Sequence, residues 1–489
     1  MDRRARLYSF ALLLTCGAVL LSLSGCGGGS ASSATSGNGG NGGGGGGGNP
    51  PPAGDKIKHV VIIFQENRTP DNLFHDPVLI ANGADIASSG LNTAGQSIPL
   101  TAAPLGVNYD PGHGNLDFKL MYDGGKMDGA GLIPAKCSEP VSGCPPPNDG
   151  FEYVQASDVS PYFRMAEQYT FGDRMFQTNE GPSFPAHQFI LSGTSAPTAT
   201  SNLFAAENPP TYNAGCIAAP SASVLMINPY GEEDISMYPC FDHPTLTDEL
   251  EAQGVSWHYY TPVADFIWTA PTSIQHICGP NATPPNATAC TNPDWINNVI
   301  IYTTENPAPI LTDISNNQLP AVSWVIPTAI NSDHAGETNG ILHTGGPSWV
   351  AAIVNAIGNS PYWSDTAIII TWDDWGGWYD HVPPPKVIDD GVSWGSGYLY
   401  GFRVPLIVIS PYAKAGYISH VDHDFGSILH FVEDVYGLPS LGYADAYADD
   451  LSDCFDFSQT PLTFKTIPAP MDASHFLSDR TPPEGPDND

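Results

Sequence analysis

Glu66 and Asn67 stand directly behind one apolar run, Asp333 and His334 soon after a second, and Asp373 and Asp374 directly behind a third. Oxygen donors of this kind hold a divalent cation against a phosphate. Adjacent carboxylates repel unless a cation or a proton offsets them. If both side chains face inward, Asp373 and Asp374 point to a bound cation; otherwise one caps a turn and the other faces solvent. The segment "NEGPSFPAHQFILSGTS" (179–195) offers a nucleophile in Ser183, two residues before Pro185 and at the start of a helical run. Amides and a dipole at that place bind phosphate and favour an alkoxide, although Ser is also an ordinary N-cap. His113 in "DPGHGNLD", His334 in "SDHAGET" and His381 in "YDHVPPP" each have an acidic neighbour that could orient the ring or raise its pKa, for acid–base work or as a structural ring. His59, His187 and His423 have weaker surroundings and fall outside the expected site. The segment "GVSWG" (391–395) matches a nucleophile elbow but follows "PPPKVIDD" rather than a strand. No Walker loop, strand-borne G-x-G-x-x-G or H-E-x-x-H helix is present.

The elements that must position these residues are short and apolar: "HVVIIF" at 59–64, "AVSWVI" at 321–326, "AIII" at 367–370 and "VPLIVIS" at 404–410. Continuous apolarity rich in β-branched residues predicts strands of a sheet covered on both faces, which usually means parallel strands. Helices are expected at 347–358, with Ser348 as N-cap and Gly358 at the end, and at 424–437. The fold class that follows is α/β, a three-layer sandwich around a mostly parallel central sheet. Ligands bind beyond the carboxyl ends of such strands, so the three polar clusters are expected to converge. The stretch from about 75 to 310, rich in Pro, Gly, Asn and Thr, is expected to hold long loop-rich insertions that shape the cleft.

The 489-residue chain carries 16 Lys and Arg against 51 Asp and Glu, a formal net charge of −35, so it lacks the broad positive field that a nucleic-acid partner needs. Three arginines, an apolar stretch from Leu7 to Leu23 and then Leu23-Ser24-Gly25-Cys26 resemble a bacterial lipoprotein signal. Residues 1–25 are then removed, Cys26 is lipidated to reach the membrane, and the Gly-rich 26–54 is a flexible tether to a domain at 55–489. The expected place is the cell envelope, on the periplasmic or outer side. Six further cysteines fall into near neighbours, Cys137 with Cys144, Cys216 with Cys240 and Cys278 with Cys290, which predicts local disulfides formed in an oxidising compartment; Cys454 is left over. Nothing in the sequence sets an oligomeric state.

The segment "IKHVVIIFQENRTPDNLF" resembles the Q-E-N-R-S-F-D-x-x-F signature of the bacterial phospholipase C and acid phosphatase phosphoesterase family. "TWDDWGGWYDHVPPP" is similar to that family's T-x-D-E-x-G-G-x-x-D-H-V-P-P-P segment, and "GFRVPLIVISPYAKAGYISH" with "DHDFGSILHFVED" to its closing one. The resemblance spans roughly 56–440. It implies an alkaline phosphatase-like fold and hydrolysis of phosphate esters through a phosphoserine. It places Glu66, Asn67, Asp373 and Asp374 at the metal positions, Ser183 as nucleophile, His113 and His334 beside phosphate or the leaving group, and His381 in a motif of less defined role. Calcium or magnesium suits the oxygen donors, and zinc enters if His381 coordinates. The chain departs from the pattern at Thr69-Pro70, at Asn72, at Asp374 where Glu is common, and after Ser183, where "AHQF" replaces an Asn-Arg pair. The expected substrate is a phospholipid diester or a phosphomonoester. Trp257, Tyr259, Tyr260, Phe266 and Trp268 are expected in the core rather than around a choline. The competing expectation is a non-catalytic surface lipoprotein that binds a ligand or partner on the same fold, which predicts a damaged site.

Overall fold

The computed structural model describes residues 53–138, 142–210, 213–279, 287–336, 345–385 and 400–485. The expected signal peptide, Cys26, nearly all of the tether and the 391–395 segment lie outside the described residues. The described residues form a nine-stranded central sheet. Its strands are β1 (His59–Gln65), β2 (Thr170–Phe176), β3 (Trp257–Thr261), β4 (Val299–Ile301), β5 (Val322–Val325), β6 (Thr366–Trp372), β7 (Arg403–Ile409), β8 (Tyr417–Ser419) and β9 (His423–Asp424). The order across the sheet is β4, β3, β5, β1, β6, β7, β2, β8, with β9 also paired to β2.

Every pairing is parallel except those of β7, which runs antiparallel to both β6 and β2. Three of the four apolar runs are therefore the parallel neighbours β5, β1 and β6, as their composition predicts. The fourth, "VPLIVIS", runs the other way. A strand buried on both faces reads the same in either direction, and what reverses it is that β7 starts at the edge where β6 ends, with Leu406 opposite Thr371. All seven residues of β6 and of β7 are buried, so both faces of the sheet are covered. Each buried Ile or Val there contributes about 1.5–3 kcal/mol relative to exposure.

The helices that matter to the site are α1 (Pro70–Leu73), α2 (Ala156–Gln168), α3 (Ser183–Ser192), α4 (Gly345–Gly358) and α5 (Phe425–Tyr436). α2 packs against α4 and α3 against α5. α5 has the expected grammar: Asp424 accepts from the Ser427 amide at 3.2 Å, and Gly437 ends it with φ 66°. α4 begins at Gly345, earlier than expected, so Ser348 is buried inside it and is not its cap. The 75–310 stretch holds short two- and three-stranded sheets, but it also supplies β2, β3, β4, α2 and α3 to the main body. The three expected disulfides are present and Cys454 is a buried free thiol. Trp257, Tyr259, Tyr260 and Trp268 are buried in the core, as expected, whereas Phe266 is only half-buried and lies outside it. Among the described residues no helix is long and apolar enough to cross a membrane.

Candidate active site

The parallel pairing of β1 with β6 brings two of the polar clusters together. Gln65 is opposite Trp372, so Glu66 and Asp373 leave the sheet side by side, and the Asp373 amide donates to the Gln65 carbonyl at 3.0 Å. The Asn67 amide then donates to Asp373 Oδ1 at 3.1 Å, with Asn67 in the left-handed region at φ 61°. Gly376, at φ 62°, lies against it: a Cβ there would stand 2.3 Å from the Asn67 carbonyl oxygen. Only glycine fits both the conformation and the contact. Asp374 Oδ1 accepts from the Gly376 amide at 2.8 Å, which locks the carboxylate toward Ser183.

Ser183 is the first residue of α3, and its Oγ donates to Asp374 Oδ2 at 3.1 Å. Gln177, just after β2, fixes that approach across β7. Its Oε1 accepts from the Trp375 amide at 3.1 Å, and its Nε2 donates to the carbonyls of Asn179 at 2.8 Å and Gly181 at 2.9 Å. The amides expected to cradle an anion at the start of α3 are partly taken. Phe184 donates to Asn208 Oδ1 at 2.8 Å, and Pro185 has no N–H to give. The dipole of the ten-residue helix remains.

His113 and His334 meet from opposite sides, their rings 6.0 Å apart. Each is oriented by a backbone carbonyl rather than by its acidic neighbour: His113 Nδ1 is 2.9 Å from the Pro111 carbonyl, and His334 Nδ1 is 2.6 Å from that of Ala335. His113 Nε2 lies 3.1 Å from Asn67 Nδ2 and accepts from it. Asp333 turns instead to the Tyr162 hydroxyl at 2.8 Å and Trp372 Nε1 at 3.0 Å. Arg68 ties the strand-end loops together: it donates to the carbonyls of Asp333 and Leu105 and lies 4.9 Å from the Trp378 ring centre.

His381 is placed elsewhere. Its Nδ1 is 2.7 Å from Asp71 Oδ2 and its Nε2 3.0 Å from Asp85 Oδ1. Beside them Arg403, at the start of β7, binds Asp380 at 2.7 Å and Asp71 at 3.3 Å. Burial alone lowers the His381 pKa, but Asp71 outweighs it and lifts it to about 9. This cluster already holds its own cation in Arg403, and among the described residues its hydrogen bonds and ion pairs go to Asp71, Asp85 and Asp380 rather than to Ser183 or Asp374.

The residue that sequence reasoning set aside is His187. It lies one helical turn after Ser183, fully buried, with Nε2 3.4 Å from Glu66 Oε1 and 3.6 Å from Asp373 Oδ2. The signal was the i, i+4 spacing from Ser183, which puts both side chains on one face of α3. Glu66, Asp373 and Asp374 are fully buried together. Burial raises Asp373, yet His187 outweighs it and holds it low; burial and then the charge of Asp373 push Asp374 well up. Among the described residues, Asn67 Oδ1 and Asp373 Oδ2 are buried acceptors that meet no hydrogen-bond donor. Crowded carboxylates and unmet buried acceptors fit a divalent cation, which Glu66, Asn67, Asp373 and Asp374 would hold.

A cavity of about 400 Å³ opens beside this cluster, lined by His113, Pro182, Asp110, Asp117, Lys136 and Glu207. Its lining reaches Pro182, the residue before the nucleophile, while Ser183 itself is buried.

The model of the Phosphoesterase family matches residues 57–439. Phospholipase C B of Mycobacterium tuberculosis is 26% identical over 445 residues, covering 83% of this chain and 78% of that protein. The non-hemolytic phospholipase C of Pseudomonas aeruginosa is 24% identical over 443 residues, covering 82% and 57%. A crystal structure of a protein in the alkaline phosphatase superfamily from Vibrio parahaemolyticus covers 81% of this chain and 72% of its own, with 11% identity and a TM-score of 0.35.

Proposed function

Because the chain belongs to the phosphoesterase family and is thereby a hydrolase of phosphoric ester bonds, we propose that it cleaves phospholipid-type phosphodiesters through a phosphoserine on Ser183. The observation that carries this reading is the 3.1 Å contact from Ser183 Oγ to Asp374 Oδ2 within the buried cluster of Glu66, Asn67 and Asp373. The phospholipase C names of the relatives support a diester substrate, and the cavity at His113 has the size for a head group.

Asp374 is set to take the Ser183 proton. The Gly376 amide holds its Oδ1, which keeps Oδ2 aimed at the Ser183 Oγ. The Ser183 oxygen then attacks phosphorus in line, helped by the α3 dipole. A divalent cation, when bound, neutralises charge on the non-bridging oxygens, the largest expected term in phosphoryl transfer. His334, held at Nδ1 by the Ala335 carbonyl, hands a proton to the leaving alcohol. The same ring then takes a proton from the water that opens the phosphoserine, and Asp374 returns its proton to the Ser183 oxygen. His113, whose Nε2 already accepts from Asn67, lines the cavity beside them. Asn67 couples the two halves, since its amide fixes Asp373 and its side chain fixes His113.

The test uses the chain from residue 50 onward, which is a compact unit. It is assayed on p-nitrophenyl phosphorylcholine and on p-nitrophenyl phosphate, with and without a chelator. The diester is expected to turn over faster, the chelator to suppress it, and acid quenching to trap phosphate on Ser183. Ser183→Ala is expected to lose at least about 1,000-fold in kcat. Preference for the monoester moves the substrate to the phosphatase class. No turnover of either, with the fold intact, leaves the non-catalytic lipoprotein.

We also place the protein at the cell envelope, lipid-anchored at Cys26. Three disulfides and the N-terminal pattern support this. Labelled palmitate should enter the full chain and be lost in Cys26→Ala. Labelling that persists in the variant refutes the anchor.

A further inference from the structure

The acidic cluster contains a nitrogen donor that the sequence motifs do not place there. Glu66 Oε1, Asp373 Oδ2 and His187 Nε2 belong to a group whose ligand atoms all lie within 4.8 Å of one another, with all three side chains buried. The distances from His187 Nε2 to the two carboxylate oxygens, 3.4 and 3.6 Å, match the edges of a metal tetrahedron. Donors about 2.0–2.1 Å from zinc at tetrahedral angles are about 3.3 Å apart. Neither ring nitrogen of His187 has a hydrogen-bond partner among the described residues. A buried imidazole with unmet nitrogens beside two carboxylates is costly unless something binds there.

We propose that His187 is a metal ligand, and that with Glu66 and Asp373 it makes this a site for a zinc-class ion rather than for calcium or magnesium. The proposal rests on the cation-assisted reading above and replaces the earlier route to zinc, since His381 is occupied by Asp71 and Asp85. Imidazole nitrogen suits zinc, copper, iron and nickel, whereas calcium, magnesium and manganese(II) favour oxygen sets. Histidine nitrogen and carboxylate oxygen are both ordinary zinc donors, and three protein ligands leave a catalytic zinc one open position. α3 links the functions: Ser183 and His187 sit on one helical face, so the element that presents the nucleophile also presents the ligand.

The test is metal binding, measured without substrate on the full-length protein in detergent. Chelator competition gives affinities for Zn²⁺, Mn²⁺, Ca²⁺ and Mg²⁺, and zinc-edge X-ray absorption reports whether imidazole is in the coordination sphere. Wild type is expected to prefer Zn²⁺ over Ca²⁺ by at least about 100-fold and to show imidazole scattering. His187→Gln is expected to lose at least about 100-fold in Zn²⁺ affinity, because even outer-shell partners cost about 10- to 100-fold, and to leave Ca²⁺ binding nearly unchanged. Zinc bound without imidazole scattering in wild type overturns the proposal whether or not the variant folds. So does a wild type that binds only Ca²⁺ or Mg²⁺, an outcome that leaves the cation-assisted function standing. A wild type that binds none of the four and still forms phosphoserine overturns both. If His187 is instead an imidazolium bridging the carboxylates, its nitrogen resonances stay those of the protonated ring when zinc is added, and the proposal falls.

Discussion

Gly376→Ala tests whether the turn after β6 sets the site or merely closes it. Two costs can be worked from the structure. The first is conformational: φ of 62° is left-handed, and a Cβ there costs about 1–2 kcal/mol. The second is steric. The new Cβ would stand 2.3 Å from the Asn67 carbonyl oxygen, and ordinary contact begins at 3.4 Å, so the turn or the Asn67 backbone must move by about 1 Å. That backbone holds Asp373 through its amide and His113 through its side chain, so the shift passes to both. A displacement of about 1 Å in a catalytic group costs on the order of 100-fold in rate. The expected result is a Tm lower by about 3 °C together with kcat/KM on the phosphodiester down by about 100-fold. Stability comes from thermal unfolding and the rate from steady-state assay of the same preparation. A variant that loses the stability but keeps kcat/KM within about threefold refutes the claim that Asn67 is placed by this glycine.

Two further outcomes follow from the charges. Asp374→Asn removes a carboxylate that burial and Asp373 push up, so ionisation of Asp374 opposes folding. Its folded pKa lies above the unfolded value, and the stability of the metal-free protein falls as pH rises beyond about 4. In chelator the variant should therefore match wild type near pH 4 and exceed it increasingly toward pH 8 by urea titration, while kcat collapses; a variant less stable at every pH would contradict the reasoning. His381→Gln should leave kcat within about threefold and cost stability only where the ring is charged. The folded pKa of about 9 lies above the ordinary value near 6.5, so the loss should be complete below about pH 6.5 and fade as pH rises through about 9. The side chain is 28% exposed, which discounts the bond to about 1–2 kcal/mol. A loss independent of pH would assign the effect to packing.

Strand position was legible where composition alone decides it, as in β1, β5 and β6, whose apolar runs end at the very residues that form the site. β2 was not, because "TFGDRMF" carries Asp173 and Arg174, one bound by His420 and the other by Asp85, partners hundreds or tens of residues away. Nor was the direction of β7, which depends on where its connection enters. The cysteine pairs were legible because short separations leave few ways to close. His381 misled for the opposite reason: next to Asp380 in sequence it reads as part of the acidic site, but the positive-φ pair Gly376 and Gly377 turns the chain away, and it ends against Asp71. His187 was hidden in a helix whose other residues, Gln188 apart, are apolar or small. Only the register set by Ser183 reveals it.

The central position of β1 governs when the protein can become active. Its two neighbours in the sheet are β5 and β6, so the N-terminal strand has no sheet partner until residues 322 and beyond are available. Long-range parallel pairing of this kind is slow, because the closure entropy comes before the contacts that offset it. Glu66 and Asn67 thus meet Asp373 only after about 300 further residues of chain are in place. A half-made chain carries a serine and a set of scattered acids that are not yet one site. Onset of hydrolysis then reports the docking of β6 on β1.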